Sequence, residues 1–216
     1  MTDTRLETNI EAPAVIRNEP VQARSAARLT ALLDAAAHVV DEIGYERLTT
    51  AMVADRAGAS IGTVYRYFPD RIAVLQSLAA RNAERVLPAS LDAVADSRHT
   101  DWTQALAAAF EVAVECYRTE PGFAALRFGD VLDLKPATGP SALAQYAERL
   151  FETLTDRFAL DAGAAAKDAF EAAVVVSDAI AARAFARDPR GDEAMLAHGA
   201  AATVALLAPF WGDPRA

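Results

Sequence analysis

Apolar residues recur along most of this chain at three- and four-residue steps, and Val, Ile and Thr never fall into the alternating runs that a half-buried strand needs. The pattern predicts an all-α protein. Leu29, Leu32, Leu33, Ala36, Val40 and Ile43 draw one stripe along a first helix from about Gln22 to Ile43, which Gly44 ends. The helices then become short. Thr49 or Thr50 caps a helix whose Met52, Val53 and Ala57 are expected to face inward. Gly58 supplies a sharp turn, and Ser60 restarts a stubby helix from Ile61 to Tyr67. Pro69 stops it, and Asp70 caps a long fourth helix with Ile72, Leu75, Leu78, Ala79, Asn82 and Val86 on one side, which Pro88 is expected to kink or end. A further helix, Asp101 to Arg118, carries Trp102, Leu106, Phe110, Val114 and Tyr117 on one face. Glu120-Pro121-Gly122 breaks the chain, an apolar segment runs from Phe123 to Leu134, and Lys135 to Pro140 reads as a loop. Three more helices are predicted: Ser141 to Leu160, Asp161 to Arg187 and Asp192 to Phe210. Residues 1–21, with Pro13, Pro20 and little periodicity, read as a flexible tail.

Two short helices joined by a Gly turn, the second dense in hydroxyls and carrying one Arg, outline a helix-turn-helix and so point to sequence-specific DNA binding. The ordered string is a Thr cap, Val53-Ala54, Ala57-Gly58-Ala59-Ser60, Gly62-Thr63-Val64-Tyr65-Arg66-Tyr67-Phe68, Pro69-Asp70-Arg71 and Val74-Leu75. It resembles the DNA-binding domain of the TetR/AcrR family of bacterial transcriptional regulators. The motif lies within Ser25 to Leu87; the remaining C-terminal part resembles the family in length and helical character alone. The resemblance implies an N-terminal three-helix helix-turn-helix domain followed by a larger helical ligand-binding and dimerisation domain. The chain then divides into a tail (1–21), a helix-turn-helix domain (22–69), a linking helix (70–97) and an effector-binding and dimerisation domain (98–216).

The candidate DNA-contacting residues follow from chemistry and from the resemblance. The free N–H groups and dipole at the start of the Ser60 helix can hold a phosphate. Thr63 and Tyr65 are short or rigid hydroxyl donors, and Gly62 permits close approach to a groove. Arg66 is the one side chain of that helix with a base-reading fork. Thr49 and Thr50 can donate to a phosphate as well as cap. Tyr67 resembles the family position whose ring leans on the DNA backbone, and Arg71 the family's phosphate contact at the next helix. Val64 and Phe68 are read as core. Ile61 stands where many family members carry a Lys or another polar group, and Ala51 where an Arg is frequent; each loses a potential phosphate or base contact, so either operator affinity is expected to be modest or Ile61 touches a thymine methyl.

Charge changes the picture. A net −9 is unusual for a DNA binder, but nine Arg against eight acids between Arg17 and Leu87 give +1, while Pro88 to Ala216 carries −8. The acid would keep the C-terminal part off the phosphates. One cysteine, Cys116, excludes an internal disulfide and fits a reducing cytosol. Met1 to Arg17 lacks a secretory pattern, and the apolar run Phe170 to Phe185 is broken by Asp178 and Arg183, so a cytoplasmic protein without a membrane span is expected.

In the C-terminal part, Trp102, Phe110, Tyr117, Phe128, Tyr146 and Phe170 lie on several helices that can converge on an apolar small-molecule site. Asp178, inside an apolar run, is either a buried polar anchor or an interface residue. Ala172, Ala173, Ala179 and Ala182, with Ala201, Ala205 and Ala208, make Ala-rich faces on the last two helices that would pair with a second copy as a two-fold four-helix bundle. That symmetry would set two recognition helices roughly 34–36 Å apart on a palindromic operator. The resemblance implies that an unidentified small-molecule effector lowers operator affinity through the fourth helix. His38, His99 and His198 are isolated, and no phosphate loop, nucleophile elbow or dinucleotide fingerprint occurs, so neither metal nor cofactor nor enzymatic role is expected. Another reading stays open: an all-α small-molecule-binding or interaction module with weak or lost DNA binding.

Overall fold

The computed structural model describes residues 23–129 and 140–214. Among them the chain forms nine α-helices and one 3-10 turn: α1 (Ala23–Ile43), the 3-10 turn (Tyr45–Arg47), α2 (Thr50–Arg56), α3 (Ile61–Tyr67), α4 (Arg71–Ala95), α5 (Trp102–Thr119), α6 (Phe123–Leu126), α7 (Ala142–Phe158), α8 (Ala164–Arg187) and α9 (Glu193–Trp211). The expected N-terminal tail, together with Val131, Leu132 and most of the Lys135 to Pro140 loop, lies outside the described residues.

Local chemistry sets the helix starts. Thr49 Oγ1 accepts from the Met52 N–H at 3.2 Å, Ser60 Oγ from Thr63 N–H at 3.2 Å, and Asp70 Oδ1 from Ala73 N–H at 2.9 Å, so α2, α3 and α4 each begin on a side-chain cap. Asp101, Ser141 and Asp192 do the same for α5, α7 and α9. α4 passes through Pro88 without ending; the ring removes one backbone bond, to Glu84, an exposed residue.

Two apolar cores result. In the head, Val53 and Ala54 of α2, and Val64 and Tyr67 of α3 with the following Phe68, pack on Leu32, Ala36 and Val40 of α1 and on Val74, Leu75 and Leu78 of α4. Met52 corrects the sequence reading: it is 41% exposed, because adjacent helical residues point about 100° apart and Val53 takes the inward position. The second core joins the C-terminal half of α4 to α5, α7, α8 and α9. Its far end is closed by Trp102, set edge-on to Trp211 at 5.3 Å, with its Nε1–H donating to the Gly212 carbonyl at 3.2 Å.

α6 is the joint between the two cores. Phe123 belongs to the C-terminal core and Leu126, three residues on, to the head's. The turn into α6 needs glycine: Gly122 has φ +72°, its N–H donates to Asp41 Oδ1 of α1 at 2.9 Å, and a Cβ there would lie 2.6 Å from the Ala37 carbonyl oxygen. Beyond α6, the Arg127 carbonyl accepts from the buried Asn82 amide of α4 at 2.9 Å. Ion pairs on the rim, Arg81–Asp34 at 2.7 Å and Arg85–Glu120 at 2.6 Å, tie α4 to α1 and to the end of α5.

Candidate nucleic-acid interface and internal cavity

The head presents α3 outward. Val64 and Phe68, both fully buried, fasten it from below, so Ile61, Gly62, Tyr65 and Arg66 point away from the protein. Ile61 is 42% exposed and Tyr65 46% exposed, and Gly62 and Arg66 are exposed beside them. Gly58, at φ +57°, turns the chain between α2 and α3, and a Cβ there would meet nothing within 4 Å. Several candidate residues are linked in place. Thr50 Oγ1 donates to the Tyr65 hydroxyl at 3.3 Å, and the Ser60 and Thr63 hydroxyls lie 2.9 Å apart at the N-terminus of α3. Arg71 Nη1 donates to the Glu46 carbonyl at 3.0 Å, which holds this exposed guanidinium beside the 3-10 turn.

Tyr67 sits differently from the other candidates. Its ring is 3% exposed within the head core, and its hydroxyl lies 2.9 Å from Ser25 Oγ in the first turn of α1. Here it is a packing residue that braces α3 against α1, because its position on α3 falls on the same inward side as Val64. The brace brings the start of α1, with exposed Arg24 and Arg28, toward the C-terminal end of α3. Neither Arg was singled out by the sequence, since nothing local links the start of α1 to α3. The Arg66 guanidinium stands 5.4 Å from the Tyr67 ring centre, a cation–π approach from the solvent side.

The C-terminal domain holds a partly open cavity of about 470 Å³ between α5, α7, α8 and α9. Phe110, Tyr117, Phe128, Tyr146 and Phe170 line it. Trp102 does not: its ring is engaged by Trp211 and Gly212 at the end of the bundle, which corrects its assignment to the ligand site. Ala173, expected on a pairing face, lines the cavity instead and is fully buried. Polar groups also reach the wall. Asp178 Oδ2 receives Arg127 Nη1 at 2.5 Å, and Tyr117 donates to Asp178 Oδ1 at 3.1 Å, so Asp178 is a polar anchor of the domain interior. Ser177 and Thr203, on α8 and α9, bring their hydroxyl oxygens within 2.6 Å. Burial pushes the Tyr146 phenol up to about 12, and burial followed by the nearby Asp178 charge pushes Tyr117 up further. Burial raises the half-buried Cys116 thiol too. Among the described residues no group of three or more His, Cys, Asp or Glu is placed to hold a metal ion.

A helix-turn-helix head joined through the long α4 and the short α6 to a cavity-bearing helical bundle defines a class of two-part α-helical protein. Comparison with known proteins gives the family. Residues 32–78 match the profile described as bacterial regulatory proteins, tetR family, and residues 100–210 match that of the tetracyclin repressor-like C-terminal domain. A TetR-family transcriptional regulator from Streptomyces coelicolor superposes with a TM-score of 0.72 at 31% identity, covering 85% of this chain and 99% of that one. The chain belongs to the TetR family of bacterial regulatory proteins. It is also 33% identical over 86 residues to the HTH-type transcriptional repressor KstR of Rhodococcus jostii; the match takes in 39% of this chain and 41% of that repressor's length. SmeT, the repressor of the Stenotrophomonas maltophilia multidrug efflux pump SmeDEF, shares the fold at 19% identity, with a TM-score of 0.60 over 88% of this chain and 93% of its own.

Proposed function

We propose that this protein is a ligand-responsive transcriptional repressor that works in the cytoplasm and binds a palindromic operator in double-stranded DNA as a homodimer. The observation that carries the reading is the outward display of α3: a two-residue anchor, Val64 and Phe68, leaves Ile61, Gly62, Tyr65 and Arg66 on the surface, beside the capped start of the helix. Arg66 is the base-reading fork, and Thr63, Tyr65 and the α3 N-terminus hold phosphates, with Thr49, Thr50, Ser60 and Arg71 flanking them. Family membership and the similarity to KstR, a repressor, support this assignment.

The homodimer rests on α8 and α9. α9 is long and apolar enough by composition to cross a membrane, yet only 28% of that stretch is buried within the chain. Val175 and Leu206 are exposed on the outer side of the α8–α9 hairpin, alongside Ala172, Ala179 and Ala205. A second copy laid on this face would bury it as a four-helix bundle. The cavity is the effector site, and α6 with α4 carries its state to the head: Asp178 on the wall holds Arg127, whose carbonyl holds Asn82 of α4.

Selection of bound fragments from random duplex DNA tests the whole reading. The expected outcome is an inverted repeat, bound with a log–log salt slope of about −0.9 per phosphate neutralised, and a two-chain mass by light scattering. Recovery of fragments with no shared sequence, or a one-chain mass at micromolar concentration, would overturn it in favour of a helical small-molecule-binding module.

A further inference from the structure

α4 is divided by a proline. Pro88 has no N–H to give the Glu84 carbonyl, so one rung is missing from a helix of 25 residues that runs from the head into the C-terminal core. The polar ties on the two sides of that gap go to different parts of the molecule. Before it, Arg81 pairs with Asp34 of α1, the Asn82 amide donates to the Arg127 carbonyl beyond α6, and Arg85 pairs with Glu120. After it, α7 supplies them. The Tyr146 hydroxyl donates to Ser90 Oγ at 3.0 Å, and the Arg157 guanidinium donates to the carbonyls of Val94, Asp96 and His99 around the end of α4. Ser90 is fully buried, and Tyr146, which holds it, lines the cavity. The cavity wall therefore bears on α4 two residues past the missing rung. A hydroxyl–hydroxyl bond tolerates a narrow range of lengths, so a ring that shifts to admit a ligand either carries Ser90 with it or gives up the bond. Arg157 holds one end of α4, and Val74, Leu75 and Leu78 fix the other in the head core. A displacement at Ser90 is then taken up where the helix resists bending least, at Pro88.

We propose that Pro88 is a hinge in α4 and that the Tyr146–Ser90 bond is the lever by which an occupied cavity bends it, turning the head relative to the C-terminal domain. This rests on the reading of the cavity as the effector site. The lever is separate from the Asp178–Arg127–Asn82 chain, which meets α4 on the other side of the proline. Together the two grip α4 on both sides of its weakest point. A ligand works the lever only in so far as it binds better with the Tyr146 ring displaced than with the ring in place.

The test uses the full-length protein, a labelled operator from the fragment selection, and decan-1-ol as a neutral apolar probe whose binding is read by displacement of Nile red. In the parent, saturating decan-1-ol should weaken operator binding about tenfold. Ser90→Ala removes the lever at a residue outside the described cavity lining, and Pro88→Ala restores the missing rung. In each variant the operator response should shrink to about threefold or less, while decan-1-ol displaces the dye at a concentration within about twofold of the parent's. The urea midpoint should fall in Ser90→Ala, which strands the Tyr146 hydroxyl, and rise in Pro88→Ala, so a response lost in both does not follow from lost stability. Either variant that binds decan-1-ol and responds as the parent does overturns the inference and leaves the cavity reading standing. Decan-1-ol that fails to displace Nile red from the parent, or displaces it without moving operator affinity, ends the cavity reading and the inference with it.

Discussion

The head and the C-terminal domain are built from the same helices and caps but keep their chemistry in opposite places. In the head, the face proposed to meet DNA points outward and comes from one stretch, Thr49 to Arg71, so its residues are neighbours in the chain before they are neighbours in space. In the C-terminal domain the chemistry points inward, and the cavity wall is gathered from residues between Thr103 and Val204 on several helices. A surface site on one short helix can be moved or changed with little cost to its support. A cavity wall is also the core, and each of its residues answers to packing as well as recognition. Between them, α6 has a residue in each core, and the glycine that leads into it has no room for a side chain.

The largest expected effect is therefore at the joint. Gly122 and Gly58 both hold positive φ, yet an added Cβ meets the Ala37 carbonyl at 2.6 Å in one case and nothing in the other. Gly122→Ala should cost about 3 kcal/mol or more, from left-handed strain plus a backbone collision, whereas Gly58→Ala should cost about 1 kcal/mol from strain alone. Urea unfolding of the two variants measures the difference. Equal losses would show that α6 is not wedged against α1 as described.

Next in size is the ion pair behind the cavity. Arg127→Ala removes the cation beside the Asp178 carboxylate, whose side chain is 11% exposed, and should lower stability by about 2–3 kcal/mol; pairing it with Asp178→Leu should recover part of that loss. Operator affinity in the absence of effector should change little in the double variant, while its response to a cavity ligand should fall, because the link from wall to Asn82 has been cut. Anisotropy titrations of a labelled operator, with and without decan-1-ol, separate these outcomes. A double variant that responds like the parent would remove Arg127 from the route.

On the outward face the effects are smaller and depend on sequence. Arg66→Ala should relax preference by about 1–3 kcal/mol at one base pair, while Arg71→Ala should weaken all duplexes alike and lower the salt slope by about 1. An Arg66→Ala protein with unchanged specificity would return that side chain to the role of a solvated charge stacked on Tyr67.

How far the sequence could be read follows the same division. Caps, the Gly58 turn and the anchors Val64 and Phe68 depend on residues within a turn or two of one another, and the chain shows them openly. The position of Tyr67 was harder, since its partner Ser25 lies 42 residues away and no periodicity connects them. In the C-terminal domain a helical stripe tells which residues turn inward, but not which inward residues meet a void and which meet each other. Trp102 and Phe110 share one face of α5, yet one closes the bundle against Trp211 and the other lines the cavity. Ser177 and Thr203 were invisible as a pair for the same reason: each is an ordinary small polar residue until α8 and α9 are laid side by side. The joint was seen only as a break at Glu120-Pro121-Gly122, because the need for glycine there comes from a carbonyl on α1.

The smallest effect is one of solution conditions, and it distinguishes the two regions without a mutation. The proposed DNA binding by α3 would release counter-ions and should weaken steeply with salt. Binding of a neutral apolar dye such as Nile red in the cavity should change little with salt or between pH 6 and 9, since the one charged lining residue described, Asp178, is paired with Arg127, and burial lifts the Tyr146 phenol from an ordinary value near 10 to about 12 and lifts Tyr117 as well. The sign of the linkage follows from that shift. Below about pH 10 these phenols keep their protons whether the chain is folded or not, and they contribute no pH dependence. From about pH 10 to 12 the unfolded chain gives up the proton that the folded chain retains, so stability should fall as pH rises through that window. Urea midpoints between pH 8 and 11, read beside Nile red and operator affinities at several salt concentrations, test both parts. Cavity binding that tracked salt as DNA binding does would mean that charge reaches the cavity, and the contrast between an electrostatic outer face and a neutral inner one would fail.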